Sequence, residues 1–277
     1  MSITHSEGAC AMTNRMNIFI YSKHDEVSID KKLKVEDALI HEGFTMTRSD
    51  KEANIIISIG GDGSFLQAVR KTGFRQDCLY AGISLTAKPG LYCDFNFNNL
   101  FQMTQTIRAA DLEVRKYPLI EVKIDNHQPF YCLNELSIRS NIIRTFVMDV
   151  IIDDKLFEVF LGDGLIISTP TGSTAYNKSV NGAVVDPLLS CFQVTELASV
   201  NNNKYRTLGS SFIMSGQRNL KLKVHQDGNV FPLIAADNEA LGIRQVKQLE
   251  IILSDKTVKT VKMKNNSFWE KVQRIYL

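Results

Sequence analysis

"NIIISIGGDGSFLQAV", residues 54–69, decides the fold. Its first six residues form a largely apolar run of the kind buried on both faces in a parallel sheet. The run stops at two glycines and resumes with helical spacing to about Thr72, with Phe65, Leu66 and Val69 facing inward and Ser64 as a candidate cap. Upstream, "NIFIYS" (17–22) reads as a strand, and 28–43 reads as a helix with Ile29, Leu33, Ala38 and Ile40 on one face and Gly43 at its end. Downstream, "CLYAGIS" (78–84) supplies a third strand. Strand and helix alternate to about residue 110, which predicts a doubly wound, Rossmann-like α/β domain at the N-terminal end.

After Pro118 the texture changes. "LIEVKID", "PFYCLNELSIRS", "TFVMDVIIDDKLFEVFL" and "LIISTP" are short, alternating and rich in β-branched or aromatic residues, and further strands run from about 211 to 263. This predicts a β-rich, antiparallel C-terminal domain with one helical interruption, "TGSTAYNKSV". The closing "NSFWEKVQRIYL" reads as a helix carrying Phe268, Trp269 and Val272 on a face. The expected organisation is a disordered extension or upstream alternative start over 1–15, an α/β nucleotide-binding domain over 16–112, a β-rich domain over 113–254, and a segment over 255–277 that packs back on the N-terminal domain.

With 277 residues, 44% hydrophobic and 22% charged, the chain can bury a sizeable core in two domains. A net charge of +2, from 32 basic and 30 acidic residues in no long block, offers no electrostatic capture of nucleic acid or anionic membrane. Five scattered cysteines (10, 78, 93, 132, 191) without a C-x-x-C pair fit reduced thiols and a cytoplasmic setting. No apolar run approaches the roughly 20 residues of a membrane span, and the start lacks the apolar stretch of a signal peptide, so neither export nor anchoring is expected.

Three stretches could carry chemistry. Gly60-Gly61-Asp62-Gly63-Ser64 ends a predicted parallel strand, where a ligand crevice is expected. Its glycines let backbone N–H groups approach phosphate oxygens, and Asp62 can meet a metal or a hydroxyl. A plain Asp-Gly turn with Ser64 as cap accounts for these residues equally well. Asn134-Glu135, set inside an apolar strand, is costly to bury without partners, and both residues can face one ligand only if the strand ends or bulges there. Taken alone, that pair is more simply a strand-end turn with a solvent-facing Glu. The strongest signal is "LGDGLIISTPTGSTAYNKSVNGAVVDP" (161–187), where a strand runs to Pro170 and Gly172, Ser173 and Thr174 open a helix. Its Ser, Thr and Gly density exceeds what a connecting turn needs, and Tyr176 offers an aromatic face. Asp163 lies between two glycines as Asp62 does, and Asp237-Asn238-Glu239 is a fourth polar cluster, as readily a turn as a site. The histidines (5, 24, 41, 127, 225) are isolated, and no zinc spacing or catalytic triad stands out.

Together these motifs resemble the NAD kinase family in its bacterial, Firmicute-like form. The match runs in order over roughly 16–277: a strand then GGDGS, an Asn-Glu pair, then GDG-x-x-x-STPTGSTAYN. The resemblance implies an α/β domain plus a β-rich domain. It also implies magnesium-dependent transfer of phosphate from ATP, or from polyphosphate in some members, to the adenosine ribose 2′-hydroxyl of NAD, giving NADP. Carried over by position, Asp62 is the catalytic aspartate, flanked by Gly61 and Gly63. Asn134 and Glu135 bind the adenosine side, Asp163 lies near the nicotinamide half, and Thr174, Ala175, Tyr176, Asn177, Lys178, Ser179 and Ala198 line the dinucleotide pocket. No metal ligand is assigned beyond this. A homodimer or homotetramer is implied as well. The chain departs from the common family pattern at Leu161, where many members have Arg, at "AKPGLYCDF" (87–95) in place of GHLGF, and at Asp237-Asn238. The rival functions are a non-catalytic NAD(P)-binding regulator and a lipid or sugar kinase sharing the GGDG loop.

Overall fold

The computed structural model describes residues 17–23, 25–108, 112–140, 142, 144–225, 232–243, 245–264 and 266–277, so the expectation for 1–15 lies outside the described residues. The chain divides into two compact units, one comprising the chain to Lys116 together with Val258–Leu277, the other Tyr117–Thr257.

The first unit opens with β1 (Asn17–Tyr21), α1 (Glu26–His41), β2 (Thr45–Met46), β3 (Ile55–Gly60), α2 (Asp62–Lys71), β4 (Leu79–Ser84), β5 (Cys93–Asn96) and α3 (Leu100–Arg108). Its strands pair in parallel, in the order β2-β1-β3-β4, with β5 on the far side of β4. Ile55, Ile57 and Ile59 of β3 join Ile18, Ile20, Val35, Leu39, Ala81, Ile83 and Met103 in one cluster. Ile56, pointing the opposite way, is also fully buried. A strand that buries both faces in this way has no polar alternation, which is what its sequence shows. Helix α2 buries Phe65, Leu66 and Val69 as expected, and Phe65 stacks on Tyr92 with ring centroids 4.9 Å apart.

Two expectations about helix faces are corrected. Helix α1 buries Ser28, Val35 and Leu39, whereas Ile29, Leu33 and Ile40 are 45%, 54% and 55% exposed. Val35 and Leu39, one turn apart, complete the cluster under the sheet, and the Ile29 stripe lies about a third of a turn away around the helix. At the C-terminus, Phe268 is buried but Trp269 is 49% exposed, and the side chain that accompanies Phe268 inward is Lys271.

The two ladders that build the second unit are antiparallel. Following α3 come β6 (Leu112–Ile124), β7 (Phe130–Cys132), β8 (Glu135–Arg139), β9 (Phe146–Ile152), β10 (Lys155–Gly162), β11 (Gly164–Ser168), α4 (Tyr176–Ser179), β12 (Cys191–Leu197), β13 (Phe212–Ser215), β14 (Leu220–Val224), β15 (Leu233–Ala236), β16 (Glu239–Ala240) and β17 (Gln248–Met263). One ladder runs β10-β9-β14-β17, and a second sheet runs β13-β12-β11-β8-β15-β16. Alternate residues from both ladders, among them Met148, Val150, Leu222 and Leu249 from one and Leu136, Ile138, Leu165, Ile167, Phe192 and Val194 from the other, form a single core, as in a sheet-on-sheet sandwich. The chain ends in α5 (Phe268–Tyr276), which belongs to the first unit. A capping box opens it: Ser267 accepts from the Glu270 amide, and Glu270 accepts from the Ser267 amide. Among the described residues no helix is long and apolar enough to cross a membrane.

Candidate active site

In the first unit the glycine loop is shaped by its backbone. Gly60 has φ +140°, and a Cβ there would lie 2.2 Å from Ser64 Oγ, so only glycine fits. Gly61, not Ser64, caps α2; Ser64 sits inside the first turn, and its amide and that of Phe65 donate to the Gly61 carbonyl at 3.0 and 3.2 Å. The amides of Asp62 and Gly63 precede these donors and lie in the turn whose N–H groups have no acceptor within the helix. A Cβ on Gly61 would meet nothing within 4 Å. The loop therefore presents an open approach to a helix N-terminus, where an anion is favoured.

Asp62 is held by a partner that sequence reasoning missed. Its Oδ2 accepts from the Leu91 amide at 2.8 Å and its Oδ1 from the Tyr92 amide at 2.9 Å. The preceding Gly90 leaves room for this: a Cβ there would stand 2.4 Å from both carboxylate oxygens. Each oxygen keeps a further lone-pair direction, so the carboxylate is fixed in orientation while able to accept another proton donor.

In the second unit the strand is interrupted between β7 and β8 at Leu133 and Asn134. The simpler reading of a solvent-facing Glu is corrected, because Glu135 opens β8 and is buried, as Asn134 is. Asp237 closes the break: its carboxylate accepts from the amides of Leu133, Asn134 and Glu135 at 2.8, 2.6 and 3.2 Å. Asp237 and Asn238 both have positive φ, making the tight turn from β15 to β16. The cluster read either as a turn or as a site is thus a turn whose side chain builds the backbone around Asn134 and Glu135. Thr169 joins in, its amide bonding the Asn134 carbonyl at 2.9 Å and its hydroxyl the Leu133 carbonyl at 2.6 Å. Gly172 packs so tightly that a Cβ would lie 2.0 Å from the Asn134 oxygen.

The 172–179 stretch is shorter in helix than its sequence implies. A single 3-10 turn, Gly172–Thr174, leads through Ala175 into the four-residue α4. Thr174 is buried, Ala175 and Tyr176 are half-buried, and Lys178 and Ser179 are exposed. Asn177 is fully buried; its amide nitrogen bonds the Ser173 and Ala183 carbonyls, and its oxygen accepts from Thr195 Oγ1 at 2.6 Å. That side chain ties the turn to β12. Thr171 Oγ1 and Glu135 Oε2 are both buried without a hydrogen-bond partner among the described residues. Orphaned buried polar atoms call for a partner, and a ligand is one.

Asn134, Glu135 and the Gly172–Thr174 turn therefore come together at one end of β11, where Glu135 pairs with Ser168. Asp163 and Ala198 lie at the other end. The Asp163 amide bonds the Leu197 carbonyl at 2.9 Å, and both residues are exposed. The rise of an extended strand puts roughly 17 Å between Ser168 and Asp163. Tyr176 reaches toward that end, with the Arg139 guanidinium 5.7 Å from its ring centre.

Burial, and secondarily the Asp237 charge, push the Glu135 carboxyl from 4.5 up to about 8. Such a group keeps its proton in the folded state while the unfolded side chain ionises near 4.5, so its contribution to stability is whole below that pH and is lost as pH rises to about 8. Wild type should consequently lose more melting temperature between pH 5 and pH 8 than Glu135→Gln, by an amount on the order of a few kcal/mol in stability. Parallel melting curves against pH for the two proteins would show that Glu135 is ionised throughout.

Among the described residues no three His, Cys, Asp or Glu side chains converge as a metal site. Cys78, Cys93 and Cys191 are free and buried, and Cys132 is buried.

A family model described as "ATP-NAD kinase C-terminal domain" matches residues 133–263. NAD kinase 2 of Bacillus subtilis is 59% identical over 263 residues, covering 95% of this chain and 98% of the relative. NAD kinase 2 of Bacillus cereus is 57% identical over 267 residues, covering 96% and 100%. Among solved structures, a yeast NADH kinase complexed with NADH superposes with a TM-score of 0.81 at 17% identity, covering 94% of this chain and 87% of that one. An NAD kinase from Archaeoglobus fulgidus in complex with ATP gives 0.74 at 20% identity, covering 94% and 100%. At these identities the two structures speak to the fold.

Proposed function

This chain belongs to the NAD kinase family, and from that premise we propose that it is an NAD kinase transferring phosphate from ATP to the 2′-hydroxyl of the adenosine ribose of NAD. The observation that carries the reading is the Asp62 carboxylate, anchored by two amides at the N-terminus of α2 directly after the glycine turn. Asp62 orients the ribose hydroxyl and takes its proton, while the first-turn amides of α2 face the donor phosphates. A loose phosphoryl-transfer transition state owes most of its stabilisation to this kind of positioning and fixed charge.

In the second unit, Asn134 and Glu135 hold the adenosine side, supported by two unpartnered buried oxygens, Glu135 Oε2 and Thr171 Oγ1. Thr174, Ala175, Tyr176, Lys178 and Ser179 line the pocket, and Asn177 shapes it from within. Asp163 is assigned to the nicotinamide half, and Ala198 to the lining of the dinucleotide pocket at the same end of β11. Magnesium, when bound, neutralises charge on the donor phosphates. Asp62 is the carboxylate that would hold it, in keeping with how Mg²⁺ is usually bound through one or two carboxylates alongside phosphates. The reading includes polyphosphate as an alternative donor, a cytoplasmic location consistent with the free thiols, and assembly as a homodimer or homotetramer.

The test is an acceptor panel. Purified protein with magnesium and ATP labelled in its terminal phosphate is incubated with NAD, NADH, diacylglycerol or fructose 6-phosphate in turn. Label is expected in NAD. Label confined to the lipid or the sugar phosphate, or transfer to none of the four, would contradict the assignment.

A further inference from the structure

Helix α5 buries a cation that the site as described does not use. Lys271 is 0% exposed, and its Nζ donates to Asp94 Oδ2 at 2.6 Å and to the Leu91 carbonyl at 2.8 Å. Asp94 also accepts from Asn266 Nδ2 at 2.5 Å and lies 3.9 Å from Arg115 Nη1. Stability alone gives little reason for such a pair. Two charges taken out of water cost so much that a well-packed apolar replacement of both is often neutral or better.

The position of the Leu91 carbonyl supplies another reason. It belongs to the same peptide unit as the Tyr92 N–H, which donates to Asp62 Oδ1 at 2.9 Å. A trans peptide is planar, and its carbonyl oxygen and amide hydrogen point in opposite directions. One rigid plane therefore has the Lys271 ammonium at its oxygen and the Asp62 carboxylate at its hydrogen. The neighbouring Leu91 N–H holds the other carboxylate oxygen at 2.8 Å. A cation on the carbonyl polarises the amide and strengthens its donation, and anchoring the plane from behind fixes where the carboxylate points.

We propose that Lys271 is a positioning residue for Asp62, acting through the Leu91–Tyr92 peptide. The proposal rests on the reading of Asp62 as the group that handles the ribose hydroxyl. Its test replaces the buried pair as a unit, Lys271→Met with Asp94→Asn, in the full chain and in both wild-type and Asp62→Asn backgrounds. In the wild-type background kcat should fall roughly tenfold with KM for NAD held, as a small misplacement of a catalytic group costs. In the Asp62→Asn background no further loss is expected, because what Lys271 positions is already gone. Amide exchange at Tyr92 should quicken by about tenfold or more.

An equal fractional loss of kcat in both backgrounds, or wild-type exchange at Tyr92, would overturn the assignment. Lys271→Arg keeps Asp94 paired and guards against a folding failure. A guanidinium cannot place one donor where a fully buried ammonium sat, so kcat should fall and Tyr92 exchange quicken; wild-type values for both would refute the relay. If Asp62→Asn alone keeps full turnover, the reading of Asp62 fails, while Tyr92 exchange still decides the relay without reference to activity.

Discussion

Asp62→Asn is expected to lower turnover by about 10²–10⁴-fold, the usual worth of a positioned general base, with the dissociation constant for NAD within a few-fold of wild type. The structure sharpens this expectation. Asparagine keeps one oxygen that can accept from Leu91 or Tyr92, but its NH₂ faces the remaining amide, so one of the two anchors at 2.8 and 2.9 Å is lost. A loss of stability of about 1–3 kcal/mol follows from leaving that donor unpaired. The kinetic loss must exceed what this unfolds. Saturating NAD should not rescue it, because an interaction made only in the transition state shows in kcat. Turnover near wild type, with ATP, magnesium and NAD supplied, would remove the assigned role.

Gly90→Ala should be almost as damaging, though Gly90 has no assigned contact with any substrate. The added methyl would lie 2.4 Å from both Asp62 oxygens and 2.5 Å from Cγ, closer than any real contact, so either the carboxylate or the Leu91 backbone must move. Gly90 is not among the positive-φ glycines, so the effect is steric rather than conformational. A displacement near 1 Å at a reacting group costs about 10²-fold, and the loss is expected in kcat with KM for NAD largely unchanged. Steady-state kinetics on the purified variant checks this. Wild-type kcat in Gly90→Ala would mean that the orientation of Asp62 is immaterial.

What could be read in the sequence was whatever shows as local pattern. The unbroken run at 54–59 has no solvent face to offer, so a parallel strand buried on both sides followed from it, as did the glycine turn and the inward face of α2. Asn134-Glu135 could be seen to interrupt an apolar strand because two polar residues cannot be buried side by side for nothing. Hidden were the partners supplied by distant chain. Asp237 meets the amides of 133–135 about 100 positions away in sequence, and nothing local distinguishes it from an ordinary turn residue.

Lys271 reads as a solvent-facing lysine of a terminal helix until Asp94, separated from it by 177 positions, is placed against it. The same blindness explains α1: hydropathy favoured the Ile29 stripe, but the sheet offered its surface to Val35 and Leu39. Gly90 is the glycine that 87–95 keeps from the family pattern, just before the departure at Leu91, yet its role depends on a carboxylate contributed by α2.

The account stands on where the phosphate goes. The most direct measurement is phosphorus NMR of the product formed from NAD, ATP and magnesium by the wild-type protein, with Asp62→Asn as control. The account predicts a new phosphomonoester on the 2′-oxygen of the adenosine ribose, formed by wild type and nearly absent with the variant. Phosphate on another hydroxyl, or equal product from both proteins, would contradict it.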